Sequence, residues 1–488
     1  MIAKQLRVLL VLAVVLPLLS CSGLKNGNSG SGGTANVSVS LFDTPPTGLD
    51  ILSFTLPITG MSLVSSSGNT ALTLVSTSVE ATRLQTDSVL LVDAASVPAS
   101  TTFTSLSVTF GATSAGSNVF INTSGSTITW TTGSGGSCPN DHVCSLPAGA
   151  ETTISVPLSL TLGKNVSQWI GLNLNLANAI TTAGGLAVDF SQANVLTAIT
   201  TPRTGLPTDA ADTIEDFTGV VTALSSSSIT VQNELSGEKL TAALNSSTTY
   251  DPVPTGADYP GCGTNTTETC IKVGSTVSVD AILGASGALT VSEIDVLDAT
   301  AAAEVEGTIF ATSNGASCPS GACFELIVAD KVPAGNSVLS PSSVGYGTPV
   351  FLNVNGANLF AIDTKTLSPA PSVGFSGTAD LLAGQRVRVQ VTNVTSSGGS
   401  IFASAQNMLL RFSRLTGTAS NVAATSFTFT PPSYIATLDT GIAVPEAFTN
   451  TSTQYDGTTS NPTGTVAIRA LFLDNTQLTF AVLKVREP

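Results

Sequence analysis

Apolar and polar residues alternate one for one along most of this chain, and that period restricts what it can fold into more than any other feature. Ile154, Val156, Leu158, Leu160 and Leu162 are separated by Ser155, Pro157, Ser159 and Thr161. The same period appears at Leu172, Leu174 and Leu176, at Leu106, Val108 and Phe110, and at Val37, Val39 and Leu41. Side chains of a strand point alternately to opposite faces, so the pattern describes sheets with one buried face. Turn residues such as Thr44-Pro45-Pro46, Ser66-Ser67-Gly68 and Ala183-Gly184-Gly185 cut the runs into short strands, as sandwiches and barrels require. The best helical candidate, Ser292 to Ala303, reads better as a strand ending near Leu297. The expected class is all-β.

The amino terminus departs from this pattern. Lys4 and Arg7 precede an apolar run from Val8 to Leu19. A membrane-spanning helix needs ~20 apolar residues, whereas the core of a signal peptide needs only ~7–15 behind a positive segment. Leu18-Leu19-Ser20-Cys21 resembles the lipobox of bacterial lipoproteins, which implies cleavage after Ser20 and lipidation of Cys21 by diacylglycerol and a further acyl chain. Residues 22–34 are mostly Gly, Ser and Asn, the composition of a flexible tether. Ser22 stands where inner-membrane retention usually calls for Asp, so the resemblance implies an outer-membrane lipoprotein, whose partner is the membrane itself.

Charge and cysteine usage agree with export. Only 10% of residues are charged and the net charge is −15, a balance too poor in cations to neutralise many phosphates, which argues against nucleic acid as a partner. Besides Cys21, six cysteines fall into close pairs, Cys138 with Cys144, Cys262 with Cys270, and Cys318 with Cys323. In an oxidising compartment such pairs read as local disulfides. Zinc knuckles would need further Cys or His, and the chain holds one histidine.

A boundary is expected at residues 201–214, around Thr201-Pro202-Arg203-Thr204-Gly205-Leu206-Pro207. A β-sandwich is expected before it at 35–200. Beyond it three units recur at 215–300, 301–412 and 413–488, opening at Phe217-Thr218-Gly219-Val220, Val305-Glu306-Gly307-Thr308 and Leu415-Thr416-Gly417-Thr418. They close on a glycine and an alternating strand, Gly274 to Val279, Gly384 to Val391 and Gly464 to Ile468. Ser247-Thr248-Thr249-Tyr250-Asp251 recurs as Ser452-Thr453-Gln454-Tyr455-Asp456, with no clear counterpart in the middle unit. On these motifs the units resemble bacterial domain-of-unknown-function family 5666, which implies small OB-like β-barrels. Val37 to Ile199 resembles family 4382 on Leu41-Phe42-Asp43-Thr44-Pro45-Pro46, Leu146-Pro147-Ala148-Gly149 and Leu186-Ala187-Val188-Asp189-Phe190. Neither resemblance brings catalytic residues.

Candidates for chemistry are few. His142 lies beside Asp141 in a Cys-bounded loop and reads as a solvated residue, since a general base needs a nucleophile and an orienting partner. Asp43 and Asp50 flank a Pro-Pro-Thr-Gly turn; calcium would need more oxygen ligands, so turn capping is expected. Tyr250-Asp251 and Tyr455-Asp456 read as repeated hairpin corners rather than a repeated ligand contact. Trp130 and Trp169 are expected in the first domain's packing. Sequons at Asn122, Asn165, Asn245, Asn265, Asn393 and Asn450 reflect Ser/Thr richness. No catalytic or metal site and no cofactor is expected. The sequence therefore points to a non-enzymatic, lipid-anchored cell-envelope protein acting as a display scaffold or multivalent binding stalk. A carbohydrate- or polymer-binding lipoprotein recognising an envelope polysaccharide or protein, and a hydrolase with an unrecognised carboxylate site, are the alternatives.

Overall fold

A computed structural model describes residues 33–487 except 47, 115–117, 131–135, 208, 234–236, 253–270, 286, 299–302, 314–322, 333–343, 358, 364–366, 368–373, 433–434, 436–442, 459 and 474–476. Cys21 and the expected signal segment lie outside the described residues. The fold is nearly all β, as the alternation predicts.

In the first domain one sheet runs in the order Leu196–Ile199, Ser167–Asn175, Thr34–Thr44, Val89–Pro98, with Thr34–Thr44 parallel to Ser167–Asn175. A second sheet is built from Thr152–Thr161, Thr102–Phe110, Thr55–Ser65 and Gly68–Ala71. Inward residues of both sheets, among them Val37, Val39, Leu172 and Leu174 from the first and Ile58, Leu63, Leu106 and Val108 from the second, form one apolar core. This is the expected sandwich.

Three modules follow with one topology. In the first, Ala210–Leu224 pairs on one side with Ser228–Gln232 and on the other with Thr276–Gly284. Lys239–Ala243 and Leu289–Asp298 complete the ring and meet in a parallel contact that closes a five-stranded barrel. A short strand, Thr249–Pro252, then continues along the same edge of Leu289–Asp298. The second module repeats this order between Glu304–Ser313 and Ser400–Arg411, and the third between Ser413–Ser420 and Gln477–Arg486. Each has its own core.

Two glycines per module explain the sequence repeat. The opening strand must bend to serve two neighbours, and at the bend it touches the next strand's backbone. A Cβ on Gly219, Gly307 or Gly417 would lie 2.3, 2.0 or 2.2 Å from the carbonyl oxygen of Gln232, Ile327 or Thr430, so only glycine fits. Gly274, Gly384 and Gly464, before the fourth barrel strand, have φ of +96°, +91° and +78°, a region costly for side chains with a Cβ.

The structure also corrects the sequence reading. The first barrel's opening strand begins at Ala210, so residues 210–214 of the expected linker are strand. The middle module does possess the short parallel strand, as Leu359–Ile362, with Asp363 at the position of Asp251 and Asp456. Tyr250-Asp251 and Tyr455-Asp456 sit in these strands, not at hairpin corners. The lobes are not strung out along the chain, because every pair of them is in contact. The sandwich meets the first barrel through Ser40 and Asp212, the second through Leu52 and Ile327 in a shared cluster, and the third through Asp87 and Arg414. Among the barrels, the first meets the second through Asn233 and Asp330 and the third through Asp216 and Arg469, while Gln385 of the second donates to the Phe472 carbonyl of the third.

Candidate functional site

The residues expected from the sequence do not come together. His142 is exposed, its Nδ1 2.9 Å from the Asn140 carbonyl, in a loop closed by the Cys138–Cys144 disulfide. Cys323 is also disulfide-bonded; Cys318, Cys262 and Cys270 lie outside the described residues. Asp43 is buried and accepts the Leu176 N–H at 3.3 Å, which fits a capping role, and burial raises its pKa well above the usual range. Trp130 packs against the sandwich core. Trp169 instead joins the first barrel's cluster and donates from Nε1 to Ser40 Oγ at 2.9 Å. Among the sequons, the Asn122 side chain is buried and donates to the Ser126 and Cys138 carbonyls.

What the fold does bring together is charge. Seven of the eight arginines after Arg7 contact another lobe or line an inter-lobe cavity, and the eighth, Arg388, is buried against Glu304 and Glu306 of its own barrel. The assignment of sign follows the modules. Faces turned toward the centre carry Asp212, Glu215, Asp216, Asp280 and Asp295 on the first barrel. On the third they carry Arg414, Arg469, Lys484 and Arg486 with one acid, Asp456, and on the second both signs, with Glu304 and Glu306 beside Arg386, Arg388 and Arg411.

The geometry is closely paired. Arg469 binds Asp216 through Nε at 2.8 Å and Glu215 through Nη1. Lys484 donates to Glu215 at 3.0 Å and to Thr213 at 2.8 Å. Burial alone would raise Glu215, but Lys484 and Arg469 hold it down at about 2. Asp456 receives Arg203 Nε at 2.6 Å and Arg486 Nε at 2.7 Å, and with Lys484 nearby these cations overcome its burial and hold it well below the ordinary carboxylate range. Phe42 lies under both guanidiniums, 4.1 Å from Arg203 and 5.7 Å from Arg486, an arrangement in which the ring face attracts cations.

The sandwich contributes one segment, Glu80 to Ser88, built around a 3-10 turn at Ala81–Gln85 with Glu80 as its N-cap. Asp87 accepts Arg414 Nη2 at 3.0 Å and the Glu215 N–H at 2.9 Å. The Leu84 and Asp87 carbonyls accept Arg486 Nη1 at 3.0 and 2.7 Å. Ser88 and Ser40 donate to the two oxygens of Asp212 at 2.8 and 2.5 Å.

Asp216, Asp295 and Asp363 bring carboxylate oxygens within 4.8 Å of one another, but Arg411 stands among them. Its Nη2 is 3.2 Å from Asp216, and its Nη1 is bonded to Asp363 and 3.7 Å from Asp295. The group is thus an acid box around a guanidinium. A cavity of about 20 Å³, lined by Asp50, Thr82, Gln85, Arg386, Ser413 and Arg414, lies where the sandwich meets the second and third barrels, room on the scale of a water molecule. The site as a whole is suited to holding lobes in fixed relation. The chain matches no family model and no curated protein, so the motif likenesses stand as resemblances.

Proposed function

We propose that this chain is a non-enzymatic cell-envelope lipoprotein, anchored in the outer membrane through Cys21, whose sandwich and three barrels act as one rigid display scaffold. The observation that carries the scaffold reading is that all eight arginines after Arg7 are committed to internal partners, seven of them at lobe seams. Guanidinium groups used for planar recognition of outside carboxylates or phosphates must be reachable, and these are committed internally. The anchoring rests on the signal segment and the lipobox resemblance. A block gathered round a common centre fits a scaffold better than a stalk of independent, equivalent binding beads. Fractionation tests the anchor: wild type should require detergent, and the Cys21→Ala protein, once its signal is removed, should be soluble. A processed Ala variant that stays in the membrane pellet would contradict the proposal.

The polymer-binding reading keeps one supporting observation. Phe351 and Phe402, half-buried on adjoining strands of the second barrel, stack at 5.4 Å and 27°, a platform on which a sugar ring could stack. Retention on envelope polysaccharide that is lost in Phe351→Ala and Phe402→Ala would favour it; equal retention by wild type and variants would remove it.

A further inference from the structure

We propose that Arg203 to Gly205, in the linker between the sandwich and the first barrel, form a strap that the third barrel holds shut, so that the last module of the chain fixes the angle of the first domain. The inference rests on the scaffold reading and names a contact that makes the block rigid.

Thr201, Pro202, Thr204 and Gly205 are exposed, as in an ordinary linker, and such a connection by default lets the domains it joins move. Two features depart from that default. Arg203 is drawn inward, with 11% of its side chain exposed. Its Nε and Nη2 bind the two carboxylate oxygens of Asp456, on the third barrel, at 2.6 and 3.0 Å. Nη2 also reaches Asp212 of the first barrel at 2.9 Å, and the guanidinium lies 4.1 Å from the centre of the Phe42 ring of the sandwich. One linker side chain thus touches three lobes, and its two-point pairing with a carboxylate fixes direction as well as distance. The backbone beside it is held too. The Gly457 N–H donates to the Thr204 carbonyl at 2.9 Å. Gly205 has φ +84°, and a Cβ on it would lie 1.5 Å from the Tyr455 carbonyl oxygen, so the linker lies against the third barrel's short strand, Gln454–Asp456, as closely as only glycine allows. Swinging the sandwich about this linker therefore requires breaking contacts made 253 residues further along the chain. The linker can act as a hinge only while the third barrel is undocked from it.

Limited trypsin digestion of the full soluble chain beginning at Ser22 tests the strap. Cleavage after Arg203 needs its side chain withdrawn from Asp456, so the rate follows the population of the open strap. Wild type should be cut slowly there. Gly205→Ala should speed that one cut at least about tenfold, releasing a fragment that ends at Arg203, while cutting after Lys164 and Lys239 keeps its wild-type rate. Gly184→Ala is the control: Gly184 has φ +81° with nothing within 4 Å of its Cβ position, so it adds backbone strain alone and should leave Arg203 as protected as in wild type. Asp456→Asn, in the third barrel, should also speed the cut at Arg203. A Gly205→Ala protein cut there no faster than Gly184→Ala, or cut faster at every site alike, would overturn the strap. Where a variant does not fold, wild type decides. Rapid cutting of wild type at Arg203, while small-angle scattering shows the chain compact, would overturn the strap and leave the scaffold reading standing.

Discussion

Arg469 of the last barrel binds Asp216 of the first with Nε at 2.8 Å and Nη2 at 2.6 Å, across 253 residues of sequence. This pair closes the ring of lobes. It joins the module that turns acids to the centre with the module that, apart from Asp456, turns bases there, so opposite signs meet across this seam.

Removing that guanidinium should be severe. Arg469→Met leaves Glu215 and Asp216 short of a cation in a buried site, and breaking one side of such a pair costs roughly 3–5 kcal/mol. Urea unfolding should show it as a large fall in midpoint, whereas Lys164→Met, on an exposed loop, should leave the midpoint unchanged. Equal midpoints for the two variants would mean that the seam contributes nothing.

The bend glycines should tolerate nothing larger. Gly417→Ala places a Cβ 2.2 Å from the Thr430 oxygen and against the Phe429 ring, while at Gly60 the nearest atom is 3.7 Å away. Loss of soluble, β-rich protein is expected for Gly417→Ala and near-native thermal stability for Gly60→Ala, both readable by circular dichroism. A native-like Gly417→Ala barrel would refute the close-approach explanation of the repeat.

Global stability should be greatest at mildly acidic pH. Burial raises Asp87 to about 6 and Glu238 and Asp330 to about 7. Relative to unfolded values near 4, their stabilisation is present at low pH and is lost as pH climbs through 6 to 7. Glu215 and Glu306, held at about 2 by their cations, contribute above pH ~4.5 and lose that contribution as pH falls toward 2. Urea midpoints across pH 3–9 should peak at pH ~4 and fall from there toward pH 7. A plateau extending to pH 8 would contradict the raised carboxyls.

Trp169 should report on the seam between sandwich and first barrel. It donates to Ser40, which donates to Asp212. Trp169→Phe keeps most of the apolar contact and removes one buried hydrogen bond, an expected loss of about 1 kcal/mol in chemical denaturation. No measurable loss would show that the relay is incidental.

Most of the fold was legible because its signals are local. Alternation located the strands, and the bend and closing glycines marked each module, since both reflect constraints acting within a few residues. The short strand of the middle module was missed because Ala361-Ile362-Asp363 keeps only the Asp of its counterparts. Parallel pairing with the last strand needs a backbone and an apolar residue, not a tyrosine. The charged centre was illegible for a different reason. Arg386-Val387-Arg388-Val389 reads as a strand with a solvated outer face, and nothing local says that this face meets Glu304 and Glu306 from another strand. The nearest clue was economy: in a chain with so few charges, arginines set in strand phase are costly to bury and invite a search for partners. The hub at Glu80 to Ser88 carried no period at all.

The central claim, that sandwich and barrels form one block locked by buried charge, is tested most directly by small-angle X-ray scattering of the soluble chain beginning at Ser22. A compact chain of this length should have a radius of gyration of about 23 Å and a single-peaked distance distribution. A markedly larger radius, with separate peaks for lobes moving independently, would contradict the account.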